Sequence, residues 1–187
     1  MANHYETLFS MRTETEERQG KFWYADAREH LQAMAASQKT SLKVTAGIVA
    51  ALSPRVNWQT NIWNALALLK GRRVRGLTRN IEKAKSIKKT GIVLKYLQGP
   101  KVTTFFFNLL GNEQEVTLDT LMINAYHNSF ERDRLTQEER LDALHTIRHI
   151  SRRHRLTPAQ VQAILWVTWH RVTKSNFPGY VSFLKIF

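Results

Sequence analysis

Apolar residues recur at three- and four-residue intervals along nearly the whole chain, and no run alternates apolar with polar. That period lays apolar stripes along helices and leaves no half-buried strand from which to build a sheet. The predicted class is all-α. From Thr15 onward, Trp23, Ala27, Leu31 and Met34 repeat at helical spacing. Ser41 caps a helix with Val44, Ile48 and Leu52 on one side. It stops at Ser53-Pro54, because proline disfavours helical backbone in the residue before it. Asn57 caps the next helix, with Trp58, Ile62, Leu66 and Leu69 in its stripe and an end near Gly71. Trp63 of that helix is expected at the rim of the core.

The stretch Gly71-Arg72-Arg73-Val74-Arg75-Gly76 reads as a basic loop. Thr78 opens a helix with Ile81, Ala84 and Ile87, Lys-rich on its other face and broken by Gly91. A short helix, Ile92 to Leu97, is expected next, then a turn at Gln98-Gly99-Pro100 and a helix from about Pro100 to Leu110. Proline is favourable at a first helical position, where its missing N–H had no partner. Phe105, Phe106 and Phe107 span much of that helix's circumference, so at least one should turn away from the core. Thr117 is expected to cap a helix through Asp119, Met122 and Ala125. Thr136 with Glu139, and Thr157 with Gln160, form capping boxes before two more helices. The tail from Phe177 is aromatic and has no assigned element.

The chain has 187 residues, enough for a core without covalent staples. It has no cysteine, so disulfides, zinc-thiolate sites, a cysteine-held iron–sulfur cluster and a thiol nucleophile are excluded. The longest apolar runs are too short to span a bilayer, which takes about 20 residues. No apolar signal segment opens the chain, so a soluble intracellular protein is expected. Lys plus Arg number 28 against 15 Asp plus Glu, a net charge of +13. Such an excess repels itself, and the usual partner that offsets it is a nucleic acid.

Most short catalytic motifs are missing. No phosphate-binding GxxxxGKS or GxGxxG loop occurs, and no HExxH. His145 and His149 have metal-compatible spacing but no matching carboxylate, so no metal is expected. Residues 97–125 carry the informative pattern. A Gly-containing turn sets the backbone N–H groups of Gly99, Lys101 and Val102 at a helix start, where unpaired N–H groups favour a phosphate. Lys101 lies in the first turn. Asp119 follows 18 residues later, at another helix start.

This arrangement resembles the helix–hairpin–helix DNA glycosylases, the superfamily of endonuclease III and 8-oxoguanine DNA glycosylase. There a hairpin of the form LPGxGxKxA carries a lysine, and a segment 18 or 19 residues later carries an aspartate. The counterparts here are GPKV, with Lys101, and VTLDTLM, with Asp119. Upstream, GIVAALSPRVNWQTNIWNALALL is similar to the family's LSxQxxD helix pair, and NIEKAKSIKKTG to its helix before the hairpin. The likeness covers about residues 44 to 126. With the VTLDT segment and the QAILWVTW helix, it points to a phage-type member. The hairpin is shorter than the family's, Arg55 stands where Gln is usual, and Leu121 where His is common.

The resemblance implies a single domain of two helical lobes, with the helix–hairpin–helix core at about 44–126 and the remainder as the second lobe. It implies a monomer acting on double-stranded DNA without cofactor or iron–sulfur cluster, in the bacterial cytoplasm if phage-encoded. The implied activity is a DNA glycosylase, with AP-lyase activity possible on a flipped nucleotide. Lys101 would be the nucleophile and Asp119 the carboxylate that stabilises charge on the sugar or moves protons. Gly99 and Val102 would hold a phosphate, and Arg55, with Asn57 nearby, would contact DNA and enter the duplex. Arg72, Arg73, Arg75, Lys85 and Lys88 would track the backbone, with Arg148 to Arg155 in the same role. Two alternatives share these residues. One is a glycosylase-like transferase that modifies a base in phage DNA. The other is a DNA-binding module in which Lys101 and Asp119 do no chemistry.

Overall fold

The computed structural model describes residues 3–173, and every regular element among them is a helix. The aromatic tail from Phe177 lies outside the described residues. No described helix is long and apolar enough to cross a membrane. The chain divides into two compact units. The central unit is Ala27–Gly111, and the terminal unit takes the residues up to Asp26 and from Asn112 onward.

The central unit is built round α3 (Leu42–Leu52), on which α4 (Trp58–Leu69), α5 (Thr78–Thr90) and α6 (Pro100–Leu109) all pack. Every residue of α3 from Thr45 to Leu52 is buried, as expected for a helix surrounded on all sides. The Ser41 side chain accepts from Val44 N, and Asn57 accepts from Thr60 N at the start of α4. Asn61 of α4 donates to the Val49 carbonyl at 3.1 Å. The helix expected over Ile92 to Leu97 does not form. A single turn replaces it, closed by Tyr96 N and Leu97 N on the Val93 carbonyl. Gly91 ends α5 in the left-handed region and Gly99 opens α6, so few residues remain to nucleate a helix. Val93 is buried beside Gly47, where a Cβ would lie 2.7 Å from a Val93 methyl.

The terminal unit holds α1 (Tyr5–Ser10), the first part of α2 (Glu14–Ser37), α7 (Thr120–His127), α8 (Gln137–His154) and α9 (Pro158–Val172). Helix α1, too short to show a periodic stripe, inserts Tyr5, Leu8 and Phe9 into a core with Met122, Ile147, Ile150 and Ile164. The Tyr5 hydroxyl donates to the Met122 carbonyl at 2.8 Å. Gly20 of α2 rests on the Ile164 backbone with no room for a Cβ. Both expected capping boxes are present, on α8 and α9. Thr117 does not cap α7. It is buried and its side chain bonds Tyr24, so Asp119 becomes the cap and the helix begins at Thr120.

Candidate functional site

Lys101 is the second residue of α6. Its start is set by Gly99, whose φ of 102° and ψ of 142° suit only glycine, and by Pro100. Lys101 is half-buried, and its Nζ donates to the Ser53 hydroxyl at 2.7 Å. Ser53 is the C-cap of α3 and passes its own hydrogen to the Ala50 carbonyl at 3.0 Å. Its oxygen is thereby aimed at the lysine. The amine also lies 5.4 Å from the Phe105 ring centroid, within cation–π range. Phe105 and Phe106 are buried in the core, and Phe107 is only half-buried. Trp58 meets Phe105 edge to face at 6.4 Å, while Trp63 is exposed. Ser53 was not among the candidates read from the sequence. Nothing in the residue string says that a serine 48 positions away will meet the lysine.

The expected DNA-contacting residues of this unit are not equivalent. Val102 follows Lys101 in the first turn of α6 and is half-buried. Arg55 is exposed, with φ at 64° in the left-handed region. A residue with a Cβ pays a strain there that persists mainly at functional positions. Asn57 uses its side-chain oxygen as the α4 cap. Lys88 donates to the Leu68 and Leu69 carbonyls at 2.9 and 3.0 Å, closing the C-terminus of α4. Lys85 pairs with Glu82 at 2.8 Å on an exposed face. Arg72 and Arg73, in no ion pair among the described residues, line a groove of about 530 Å³ with Lys85, Lys88 and Lys89. Arg75 is exposed, and its carbonyl accepts from Asn64 at 3.0 Å, tying the basic loop to α4.

Charge separates sharply between the units. Residues 27–111 hold fifteen Lys plus Arg against only Glu29 and Glu82, which is the whole +13 of the chain. The remaining residues carry thirteen basic and thirteen acidic side chains and are net neutral.

In the terminal unit, Asp119 sits at the N-cap of α7 and is half-buried. Its Oδ1 accepts from Met122 N at 2.9 Å, and its Oδ2 accepts from the Trp166 indole N–H at 3.2 Å. Trp166 packs edge to face on His170 at 4.1 Å and tilts against Trp23 at 6.3 Å. Burial holds the His170 imidazole down at about 4, so it is neutral near pH 7. Tyr24 donates to Gln162 at 2.6 Å. Burial pushes its phenol well above the usual range, the Thr117 hydrogen bond opposes this, and the Asp119 charge adds to it. Burial raises Tyr5 likewise, with Asp119 next in effect. Trp166 was visible in the sequence as part of an apolar helix, but its indole N–H partner, 47 residues away, was not. Among the described residues, no group of three or more His, Cys, Asp or Glu side chains is arranged to hold a metal.

A family model described as a family of unknown function (DUF7178) matches residues 1–173. The chain belongs to DUF7178. The match takes in Lys101 and Ser53 of the central unit and Asp119 and Trp166 of the terminal unit. The DUF7178 description carries no activity, substrate or partner. No curated protein and no solved structure matches the chain.

Proposed function

We propose that the protein is a base-excision enzyme of the helix–hairpin–helix DNA glycosylase type, with Lys101 as nucleophile, Asp119 as a catalytic carboxylate and AP-lyase activity following base release. The observation that carries the reading is the Lys101 amine. It is half-buried, fixed by the Ser53 hydroxyl and set in the first turn of a helix opened by Gly99. It also belongs to the unit that carries the whole net charge. An amine positioned by a hydroxyl in a strongly cationic unit is suited to attack an electrophilic carbon of a bound nucleotide.

Duplex DNA would bind through the cations of residues 27–111, and the target nucleotide would leave the stack. The neutral amine of Lys101 forms a bond to the sugar C1′ as the bond from C1′ to the base breaks. The base departs with a proton. Opening of the sugar ring gives a Schiff base, and loss of a C2′ proton expels the 3′ phosphate and nicks the strand. Asp119 is an acceptor-only side chain able to stabilise positive charge on the sugar. Its hydrogen bonds from Met122 N and Trp166 hold it in one orientation.

Borohydride trapping on duplexes with an abasic site or a damaged base tests this. The native protein should give a covalent DNA adduct, absent in Lys101→Ala. Asp119→Asn should slow its formation while keeping the α7 cap, since Asn caps as well as Asp. Salt-sensitive DNA binding without an adduct on any substrate would remove Lys101 from the nucleophile's role. A modified-base product would then indicate the transferase, and no product the binding module.

A further inference from the structure

We infer a second nucleic-acid contact at the α8–α9 junction of the terminal unit, where Arg148, Arg152 and Arg155 converge to bind backbone phosphates of a polynucleotide. It rests on the proposed function for the identity of the ligand, but not for the anion chemistry. The three arginines line one cavity of about 370 Å³ with Gln114, Thr157 and Pro158, and no acidic side chain lines it. None of the three guanidiniums is in an ion pair or hydrogen bond among the described residues. Placing Arg148 and Arg152 four residues apart sets like charges side by side, which disfavours the helix.

Arg155 adds a second, independent observation. It sits past the end of α8 with φ at 55° and ψ at 39°, where Gly or Asn is the usual occupant. A guanidinium stands where a smaller residue would be less strained. The cations stand in a unit whose charges, these three included, sum to zero, so their clustering is local and does not follow from a general basic excess. The start of α9 does not supply the binding groups. Pro158 has no N–H, Ala159 N donates to the Glu113 carbonyl, and Gln160 N and Thr157 N are engaged in the capping box. What remains is a set of guanidinium forks, whose planar pairs of N–H groups match phosphate oxygens.

The test compares full-length native protein with Arg148→Ala/Arg152→Ala/Arg155→Gly and with a control, Arg18→Ala/Lys21→Ala/Arg134→Ala, that removes the same number of exposed charges from the same unit outside the cavity. Affinity for an undamaged duplex is measured across salt concentrations. The cavity variant should show a salt slope shallower by about 1–2 and the control a smaller change. Arg148→Lys/Arg152→Lys, which keeps the charge but not the forks, should fall between native and the triple variant in affinity. Thermal melting verifies folding, and Arg155→Gly alone should not lower it. Equal slopes in the cavity variant and control, with the Lys101 adduct intact, would overturn this site and leave the proposed function standing. Saturable binding of inorganic phosphate, lost in the triple variant while duplex binding stays native, would replace the polynucleotide with a small anion. A native protein that binds no duplex at any salt would overturn both.

Discussion

Asp119 does two jobs that substitution can separate. As the N-cap of α7 it accepts a backbone N–H, and its other oxygen takes the Trp166 indole. Asp119→Ala should destabilise the fold by about 0.5–2 kcal/mol, whereas Asp119→Asn should cost less, because it keeps the cap while losing the charge and the Trp166 hydrogen bond. Thermal melts of the two side by side check this. Trp166→Phe keeps an aromatic ring and deletes the donor. It should reduce single-turnover rate more than DNA affinity, and an equal loss in both would instead indicate a packing role. His170 gives a pH signature. Its folded value of about 4 lies below the ordinary 6.5, so the unfolded chain takes a proton first as pH falls. The stability of the neutral form is complete above 6.5 and lost as pH falls toward about 4. His170→Gln should flatten urea midpoints across that window. These pairings were not legible in the sequence, because hydrogen bonds between residues tens of positions apart leave no local pattern. Lys101 and Asp119 were legible as candidates, through residue type, spacing and the family resemblance.

Helix boundaries were the most readable level. Ser41, Asn57, Thr136 and Thr157 cap where their side chains and the following apolar stripes predict, because capping is a local hydrogen bond between residues three apart. The failures share a cause, which is tertiary competition. Thr117 has a capping side chain but bonds Tyr24, so the cap passes to Asp119. Residues 92–97 have helical composition, yet Val93 docks against Gly47 and only one turn forms. Lys88 lines the basic groove and also closes the end of α4, a contact that its place in a Lys-rich run does not show. Two glycines give predictions at this scale. Gly99→Ala would place a Cβ at a φ of 102° and should cost about 1–3 kcal/mol, lowering both the melting temperature and Lys101 adduct formation. Gly20→Ala would drive a methyl into the Ile164 backbone and should cost about 1–3 kcal/mol. Gly20 has no part in the proposed chemistry, so the adduct yield of its folded fraction should be unchanged.

At the scale of the molecule, the total charge was plain in the composition but its distribution was not. Only the division at Asp26 and Gly111 shows that the excess belongs entirely to residues 27–111. Duplex affinity should therefore fall steeply with salt. Arg72→Glu/Arg73→Glu should weaken it far more than Arg18→Glu/Lys21→Glu, an equal charge change in the neutral unit. Binding alone, however, is common to all the readings of this chain, and the central claim is that Lys101 forms a bond. The direct measurement is peptide mapping by mass spectrometry of the borohydride-trapped complex on abasic duplex. The account predicts a single modified peptide with the sugar remnant on Lys101 Nζ. An adduct on another lysine, such as Lys95, or on the N-terminal amine would contradict it, as would a duplex bound tightly with no adduct at all.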